Sequence, residues 1–391
     1  MSIDETQVAS AIAHVDDPEL RRPLGELGMV GRVQTRRKKA TVDIALPVAQ
    51  YPQIDELVAR VRSAVARVGG VDEVVVETIL MDEERRARLR MLLRGDAVDG
   101  GTMHAADDGH DHGHDHGALG HEEGRPNKFM DPKSKTRILG ISSGKGGVGK
   151  SSVTVNLAVA LQRAGYDVGI LDADVYGFSV PKMLGVTTDP LIIGDLVVPP
   201  TANGVRCLSM GFFVADDTPV IWRGPMLHKA LEQFLVDAYW GEPDFLLIDM
   251  PPGTGDVTLS LGQYLTKTEV FVVTTPQAAA QRVAQRSAYA ARKLKLAVRG
   301  VIENMSWFTG DDGTRYELFG SGGGEQLAGE LGVPLLGQVP LVPDLREGGD
   351  QGVPVVVSDP EGEAATVFAQ LAATIAALGP ARVYRRELTV R

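Results

Sequence analysis

Hydrophobic positions in residues 1–95 follow a helical period first and a strand-like period afterwards. Val8 and Ile12 are four residues apart, as on one helical face, and alternate residues from 40 to 46 are apolar, as in a half-buried strand. Apolar residues at helical spacing return over 54–68, followed by a further strand and a charged surface helix. The pattern predicts a small α/β domain in α-β-β-α-β order.

Residues 136–391 alternate short, wholly apolar runs with helical segments. The spacing between most of these runs leaves room for a crossover helix, which indicates an α/β fold with a doubly wound, mostly parallel sheet. The apolar, alanine-rich segment 367–378 is interpreted as a packed terminal helix. The strands are predicted over 136–142, 167–172, 245–249, 269–275, 297–303 and 334–339.

Residues 96–135 are poor in large apolar side chains and rich in glycine, aspartate and histidine, so they predict a flexible linker between the two domains. His110, His112, His114 and His116 alternate with aspartate and glycine. Imidazole and carboxylate groups suit Zn²⁺, Ni²⁺, Cu²⁺ or Fe²⁺. A weak metal site and a solvated tether both remain open interpretations of this linker.

Composition narrows the functional classes. A length of 391 residues suggests two or three domains, and a net charge of −11 argues against a nucleic-acid-binding surface. The single cysteine, Cys207, excludes a disulfide within the chain, fits a reducing compartment, and is interpreted as a buried structural residue. No apolar run approaches the ~18 residues of a membrane span. We therefore expect a cytoplasmic protein without membrane or nucleic-acid partners.

A phosphate-binding loop follows the first strand of the larger domain. The sequence GKGGVGKSS fits the G-x-x-x-x-G-K-[S/T] motif and leads into a helix with apolar positions on one face. Its backbone amides would surround a polyphosphate, Lys150 would reach the β- and γ-phosphates, and Ser151 would ligate Mg²⁺. The candidate nucleotide-binding residues are Gly144, Lys145, Gly146, Gly147, Val148, Gly149, Lys150, Ser151 and Ser152.

Carboxylates end two of the predicted strands. Asp172 and Asp174 follow the strand after the phosphate loop, and Asp249 ends the run Phe245–Ile248, which is a Walker B pattern. Ligands bind at the carboxyl ends of the strands in such sheets. We therefore predict Ser151, Asp172 and Asp249 as the Mg²⁺ site, and a carboxylate at this position can alternatively orient the attacking water.

The loop and its surroundings resemble the Mrp/ApbC-type iron–sulfur carrier ATPases, within the MinD/ParA class with a deviant Walker motif. The resemblance rests on GKGGVGKSS, on DADVYGFSVP from Asp172, and on DMPPGTGD from Asp249. It implies an ATP-hydrolysing homodimer in which Lys145 reaches the partner's nucleotide. It also implies that Asp174 serves hydrolysis and that Asn304 contacts adenine, although a turn-capping role for Asn304 stays open. Arg223 lies in a matching WRGPM segment but receives no role.

The N-terminal domain resembles the MIP18-like (DUF59) module of iron–sulfur assembly proteins, from the segment DDPEL at residues 16–20 and the order of its elements. This chain has Tyr51-Pro52 where that module often carries Cys-Pro. In the ATPase domain, carriers usually place Cys-x-x-Cys shortly after ENMSWF, whereas this chain has Thr309 to Gly313 there. An iron–sulfur cluster is therefore an uncertain cofactor beside ATP and Mg²⁺.

Two functions follow from these features. The first is an ATPase carrier or scaffold in iron–sulfur cluster assembly or transfer, with assembly proteins or client apo-proteins as partners. The alternative is a MinD/ParA-like regulatory scaffold whose nucleotide sets its dimer state and which carries no metal.

Overall fold

The computed structural model describes residues 4–95, 127–174, 177–213, 224–253, 261–262 and 264–381. The four linker histidines lie outside these residues, as does Arg223. The chain divides into two compact units. One combines Met1–Glu123 with the short segments Pro190–Val198 and Asp237–Gly241, and the other holds the remainder. Within the described residues, no helix is both long and apolar enough to cross a membrane.

The N-terminal unit begins with the elements that the sequence predicts. They are α1 (Glu5–Ala13), β1 (Val30–Arg36), β2 (Lys39–Leu46), α2 (Ile54–Ala66), β3 (Glu73–Leu80) and α3 (Glu83–Arg94). The central strand β2 pairs with β1 in antiparallel and with β3 in parallel orientation. Arg37 makes the tight turn between β1 and β2 with a left-handed φ of 57°. The observed α-β-β-α-β order and the final charged helix confirm the prediction.

Two short segments from later in the chain complete the core of this unit. The hairpin of β6 (Leu191–Ile193) and β7 (Leu196–Val198) contributes four buried apolar side chains to it. Tyr239 is also buried there, and its hydroxyl donates a hydrogen bond to the Leu20 carbonyl at 3.2 Å. Arg94, at the end of α3, forms an ion pair with Asp195 at 2.5 Å. The unit therefore contains more than the predicted residues 1–95.

The larger unit is built on an eight-stranded sheet and a small hairpin of β13 and β14. Its strands are β4 (Arg137–Ser143), β5 (Val168–Asp172), β8 (Thr201–Ala202), β9 (Val205–Ser209), β10 (Phe245–Asp249), β11 (Glu269–Thr274), β12 (Ala297–Asn304), β13 (Phe308–Thr309), β14 (Arg315–Tyr316) and β15 (Leu335–Val339). The order in the eight-stranded sheet is β15-β12-β11-β4-β10-β5-β9-β8. The strand pairs are parallel except β8–β9. All six predicted strands are present, as β4, β5, β10, β11, β12 and β15.

Helices connect and cover these strands. They are α4 (Lys150–Arg163), α5 (Val180–Leu184), α6 (Gly224–Val236), α7 (Ala278–Lys293), α8 (Gly323–Leu331), α9 (Pro343–Gln351), α10 (Val355–Ser358) and α11 (Glu363–Ala377). The predicted terminal helix is α11, which buries Phe368, Leu371 and Ile375 in the same apolar core as α4. Strands β5, β10 and β11 are buried along their whole length, which explains their unbroken apolar runs.

Ionic contacts fix the amino ends of the central strands. Arg137 donates two hydrogen bonds to Glu269, both at 2.9 Å, and Arg299 lies 3.1 Å from the same carboxylate. The two guanidiniums also donate to the carbonyls of Ile375 and Leu378 at the end of α11. A helix leaves its last carbonyls without internal partners, so this cluster both neutralises charge and caps α11.

Candidate nucleotide site

The phosphate loop joins the end of β4 to the start of α4. Gly147 and Gly149 both have a φ of 78°, a left-handed conformation that favours glycine. Gly144 is required for a different reason, because a Cβ there would lie 2.1 Å from the Ala284 nitrogen of α7. The loop thus needs glycine at one position for close packing and at two for backbone conformation, and α4 directs its amino end at the loop.

Three donors of α4 converge on one buried carboxylate. Lys150 Nζ and Ser151 Oγ each lie 2.6 Å from Asp249 Oδ2, and Thr154 Oγ1 donates to Oδ1 at 2.7 Å. Asp249 is completely buried at the end of β10. The structure therefore brings the predicted Lys150, Ser151 and Asp249 together. The sequence analysis missed Thr154, although it lies one helical turn after Lys150 and shares its face.

Asp172 lies next to Asp249 across the β5–β10 pair. Its carboxylate accepts hydrogen bonds from the Asp174 amide at 3.1 Å, from Ser209 Oγ at 3.1 Å and from the Val180 amide at 3.3 Å. Burial, and secondly the charge of Asp249, raise the pKa of Asp172 to about 7. Ser209 was missed because β9 was not predicted, although buried Val205 and Cys207 alternate in that strand.

The predicted Mg²⁺ residues fit a hard cation. Ser151, Asp172 and Asp249 supply only oxygen atoms, and Mg²⁺ prefers one or two carboxylates together with phosphate oxygens and water. Burial is the main reason why the pKa of Asp172 is raised, and repulsion from the neighbouring carboxylate of Asp249 adds to it; Lys150 Nζ lies 2.6 Å from Asp249 Oδ2. A dication would relieve this repulsion.

Asp174 follows the end of β5 and its Oδ2 lies 3.7 Å from Lys150 Nζ. Its side chain is largely buried, with 13% exposure. Residues 175–176, which follow it, and residues 254–256 of the DMPPGTGD segment lie outside the described residues. The structure therefore places Asp174 beside Lys150 of the phosphate loop.

Asn304 lies against the phosphate loop at the end of β12. Its Nδ2 donates to the Val148 carbonyl at 2.9 Å, and a Cβ on Gly149 would lie 2.2 Å from that nitrogen. The amide is 2% exposed, and its Oδ1 has no hydrogen-bond partner in the described part of the chain. Asn304 therefore holds the loop with one atom and keeps a buried acceptor for another group.

Lys145 differs from Lys150 in its surroundings. It is only half-buried, and its backbone carbonyl accepts a hydrogen bond from Ser143 Oγ at 3.1 Å. Among the residues with described positions, no carboxylate forms an ion pair with its ammonium group. Lys145 thus stays separate from the cluster that Lys150 forms with Asp249.

Two family descriptions match this chain. "NUBPL iron-transfer P-loop NTPase" matches residues 134–376, and "Iron-sulfur cluster assembly protein" matches residues 5–77. A protein of Mycobacterium tuberculosis named iron-sulfur cluster carrier protein is 45% identical over 361 residues, 90% of this chain and 88% of that protein. A Bacillus subtilis protein of the same name is 38% identical over 368 residues, 92% of this chain and 95% of that protein.

A solved structure agrees with these matches. It is a nucleotide-binding protein from Archaeoglobus fulgidus in complex with ADP, 33% identical, with a TM-score of 0.51 over 60% of this chain and 93% of that one. Its ligand, ADP, is a nucleotide, which is what the phosphate loop predicts. The chain therefore belongs to the iron–sulfur cluster carrier family of P-loop NTPases, with an N-terminal iron–sulfur assembly domain.

Proposed function

We propose that this chain binds and hydrolyses Mg-ATP as a homodimer and uses the nucleotide to drive iron–sulfur cluster assembly or transfer. The observation that supports nucleotide chemistry most directly is the convergence of Lys150, Ser151 and Thr154 on Asp249 directly below the phosphate loop. Two of these groups have a natural second partner, since Lys150 would bind phosphate and Ser151 its Mg²⁺.

The proposed mechanism assigns a separate task to each residue. Loop amides and Lys150 bind the β- and γ-phosphates, so Lys150 would exchange part of its contact with Asp249 for phosphate oxygen. Mg²⁺ supplies charge neutralisation between those phosphates, and Ser151, Asp172 and Asp249 would hold it. Asp174 orients the attacking water, since its carboxylate lies near Lys150 and hence near the γ-phosphate. Asn304 keeps the loop in place through Val148 and offers Oδ1 to the adenine amino group.

Dimerisation would complete the site. Lys145 has no carboxylate partner within the described residues, so its charge is available to a nucleotide bound by a second copy. A cation supplied in trans is worth roughly 10³–10⁵ in rate in phosphoryl transfer. Hydrolysis would then depend on the encounter of two chains.

The cargo role is inferred from the family. Relatives named as iron–sulfur cluster carriers match both domains, which favours cluster assembly over the metal-free regulatory scaffold. Client apo-proteins and assembly proteins are the proposed partners. Weak metal binding by His110, His112, His114 and His116 remains a proposal about residues outside the described ones.

Lys145→Ala tests the dimer mechanism. We expect ATP binding to be retained, because Lys150 and the loop amides are intact, and turnover to fall at least about 100-fold. Phosphate release and nucleotide binding are measured across a range of protein concentrations. Lys293→Ala, which removes an exposed lysine at the end of α7, is the control and should behave as the parent chain. Normal turnover in Lys145→Ala would refute catalysis in trans.

A further inference from the structure

The only thiol in the sequence is sealed inside the larger sheet. Cys207 is 0% exposed in β9, opposite Ile170 of β5, and its amide donates to the Pro200 carbonyl at 2.9 Å. Burial, with secondary contributions from the charges of Asp172 and Asp249, raises the pKa of this thiol well above its usual range. Iron–sulfur clusters are held by thiolates, which must be both ionised and accessible. Cys207 is neither.

Access to Cys207 would require the sheet to open. Its strand is flanked by β5 on one side and β8 on the other, and its side chain belongs to the apolar core that α4 and α11 cover. Releasing the thiol would break ladder hydrogen bonds and expose that core, so a second copy of the chain cannot approach it on the folded surface.

The segment that replaces Cys-x-x-Cys is a closed hairpin. Between β13 and β14, the Gly310 amide donates to the Thr314 carbonyl and the Gly313 amide to the Gly310 carbonyl, both at 2.9 Å. Asp312 accepts from the Thr314 amide at 2.9 Å and from its hydroxyl at 2.8 Å. The polar groups of the turn therefore bond to one another.

Glu363 at the start of α11 fixes this hairpin. Its carboxylate accepts hydrogen bonds from Trp307 Nε1 at 3.0 Å, Thr309 Oγ1 at 2.9 Å and Arg315 Nη2 at 2.7 Å. The Arg315 guanidinium also lies over the Trp307 ring, 4.4 Å from its centre. Three side chains of the hairpin thus share one anchor, and the segment has a structure of its own without a metal.

The N-terminal unit likewise has no thiol at the position where the MIP18-like module often carries Cys-Pro, because this chain has Tyr51 there. Tyr51 is 4% exposed, and its hydroxyl donates to Asp17 Oδ1 at 2.7 Å. The Leu20 amide donates to the same oxygen at 2.8 Å. A buried phenol bonded to a carboxylate contributes to the core and does not take up a soft metal.

We infer that this chain holds no iron–sulfur cluster through its own sulfur, and that the thiolates around the cargo belong to the protein with which the cluster is exchanged. This inference rests on the proposed function in cluster assembly. In the described part of the chain, no group of three or more His, Cys, Asp or Glu side chains is arranged to hold a metal ion. The partner is thus defined by chemistry: a protein that presents cysteine thiolates.

Anaerobic reconstitution with ferrous iron and sulfide tests the first half of the inference. After desalting, acid-labile sulfide per chain is measured, because iron bound to linker histidines brings no sulfide with it. We expect no stoichiometric sulfide on the intact chain or on Cys207→Ala. Sulfide on the intact chain that is lost in Cys207→Ala would overturn the inference by making Cys207 a ligand. Sulfide on both would overturn the second half of the inference, because the chain would then hold a cluster with ligands of its own other than Cys207.

A measurement on the unaltered chain supports this test independently of any variant. A thiol reagent should react with the folded chain at least about 100-fold more slowly than with the chain unfolded in guanidinium. Comparable rates would show that Cys207 is accessible and would overturn the inference.

The second half is tested with apo-ferredoxin, whose cysteines supply thiolates, as the acceptor. Iron, sulfide and Mg-ATP are added in three parallel samples: with the intact chain, with Lys150→Ala, and without the chain. Formation of the holo-ferredoxin is followed by its visible absorption. We expect faster formation with the intact chain alone. Equal rates with and without the chain would overturn the proposed function, whereas retained sulfide overturns the present inference, so the two failures are distinguishable.

Discussion

The two edges of the large sheet hold buried charges in opposite ways. At the amino edge, Glu269 faces Arg137 and Arg299, so one carboxylate has two cations. At the carboxyl edge, Asp172 and Asp249 lie side by side, and Lys150 is the cation within 2.6 Å of Asp249. The amino-edge cluster therefore has more cations than carboxylates, and the carboxyl-edge cluster has more carboxylates than cations.

This difference separates a structural cluster from a binding site. The amino-edge groups satisfy one another and also cap α11, so they need nothing further. The fold holds two carboxylates side by side at the carboxyl edge, where burial and, secondly, the charge of Asp249 raise the pKa of Asp172. A bound cation with phosphates is what such an arrangement lacks. Substitutions at the amino edge should therefore affect stability, and those at the carboxyl edge should affect activity.

The largest expected effect is that of Lys150→Ala. Removing this lysine takes away the phosphate-binding cation, so hydrolysis should fall at least about 10³-fold. It also leaves Asp249 without its ion-pair partner. Phosphate release under saturating Mg-ATP measures the effect, and Lys293→Ala is again the control. Residual turnover within tenfold of the parent would contradict the assignment of Lys150.

Glu269→Gln should destabilise the fold by about 3 kcal/mol, because it leaves two partly buried guanidiniums, of Arg137 and Arg299, without a carboxylate. Turnover per folded molecule should remain that of the parent chain, since the amino edge lies away from the nucleotide. Denaturant unfolding and phosphate release are compared with Glu361→Gln, an exposed glutamate. A loss of turnover at full folding would break the comparison between the two edges.

Asp172→Asn should change the dependence of stability on pH. The pKa of this carboxyl in the folded chain, about 7, lies above its ordinary value of 3.8, so the folded state binds the proton more tightly. The contribution of the Asp172 carboxyl to the free energy of unfolding is fully present below pH ~4 and is lost as the pH rises through ~7.

The test compares unfolding of the parent and of Asp172→Asn at pH 5 and pH 8 without nucleotide. Between these values the parent should lose on the order of 3 kcal/mol relative to the variant. Added Mg-ATP should remove the difference in the parent, because a cation lowers the pKa of the carboxyl. Parallel pH profiles of the parent and the variant would show that the pKa of Asp172 is not raised in the folded chain.

The smallest expected effect is that of Asn304→Ala. It removes one hydrogen bond to the phosphate loop, worth about 1 kcal/mol, so KM for ATP should rise roughly fivefold while kcat changes less. If Oδ1 accepts from adenine, the preference for ATP over GTP should also narrow. Gln326→Ala, on the exposed face of α8, is the control. An unchanged KM and nucleotide preference would leave Asn304 without a role in binding.

The sequence could predict what depends on local pattern. The phosphate loop and the apolar run before Asp249 are contiguous, so their chemistry can be read without knowing the fold. Six of the eight strands of the large sheet followed from apolar runs, and three of them, β5, β10 and β11, are buried along their whole length. Strand β9 was missed, and Ser209 with it, because its five residues include a buried arginine and a serine.

The phosphate loop, the acids at the strand ends, the domain families and the number of thiols can all be read from the sequence. The partners of those groups come from the tertiary structure: Thr154 on Asp249, Asn304 on Val148, Glu363 on the hairpin, and Cys207 within strand β9. The cause is separation along the chain. These pairs are 95, 156 and 56 positions apart, and no local pattern encodes contacts at such distances.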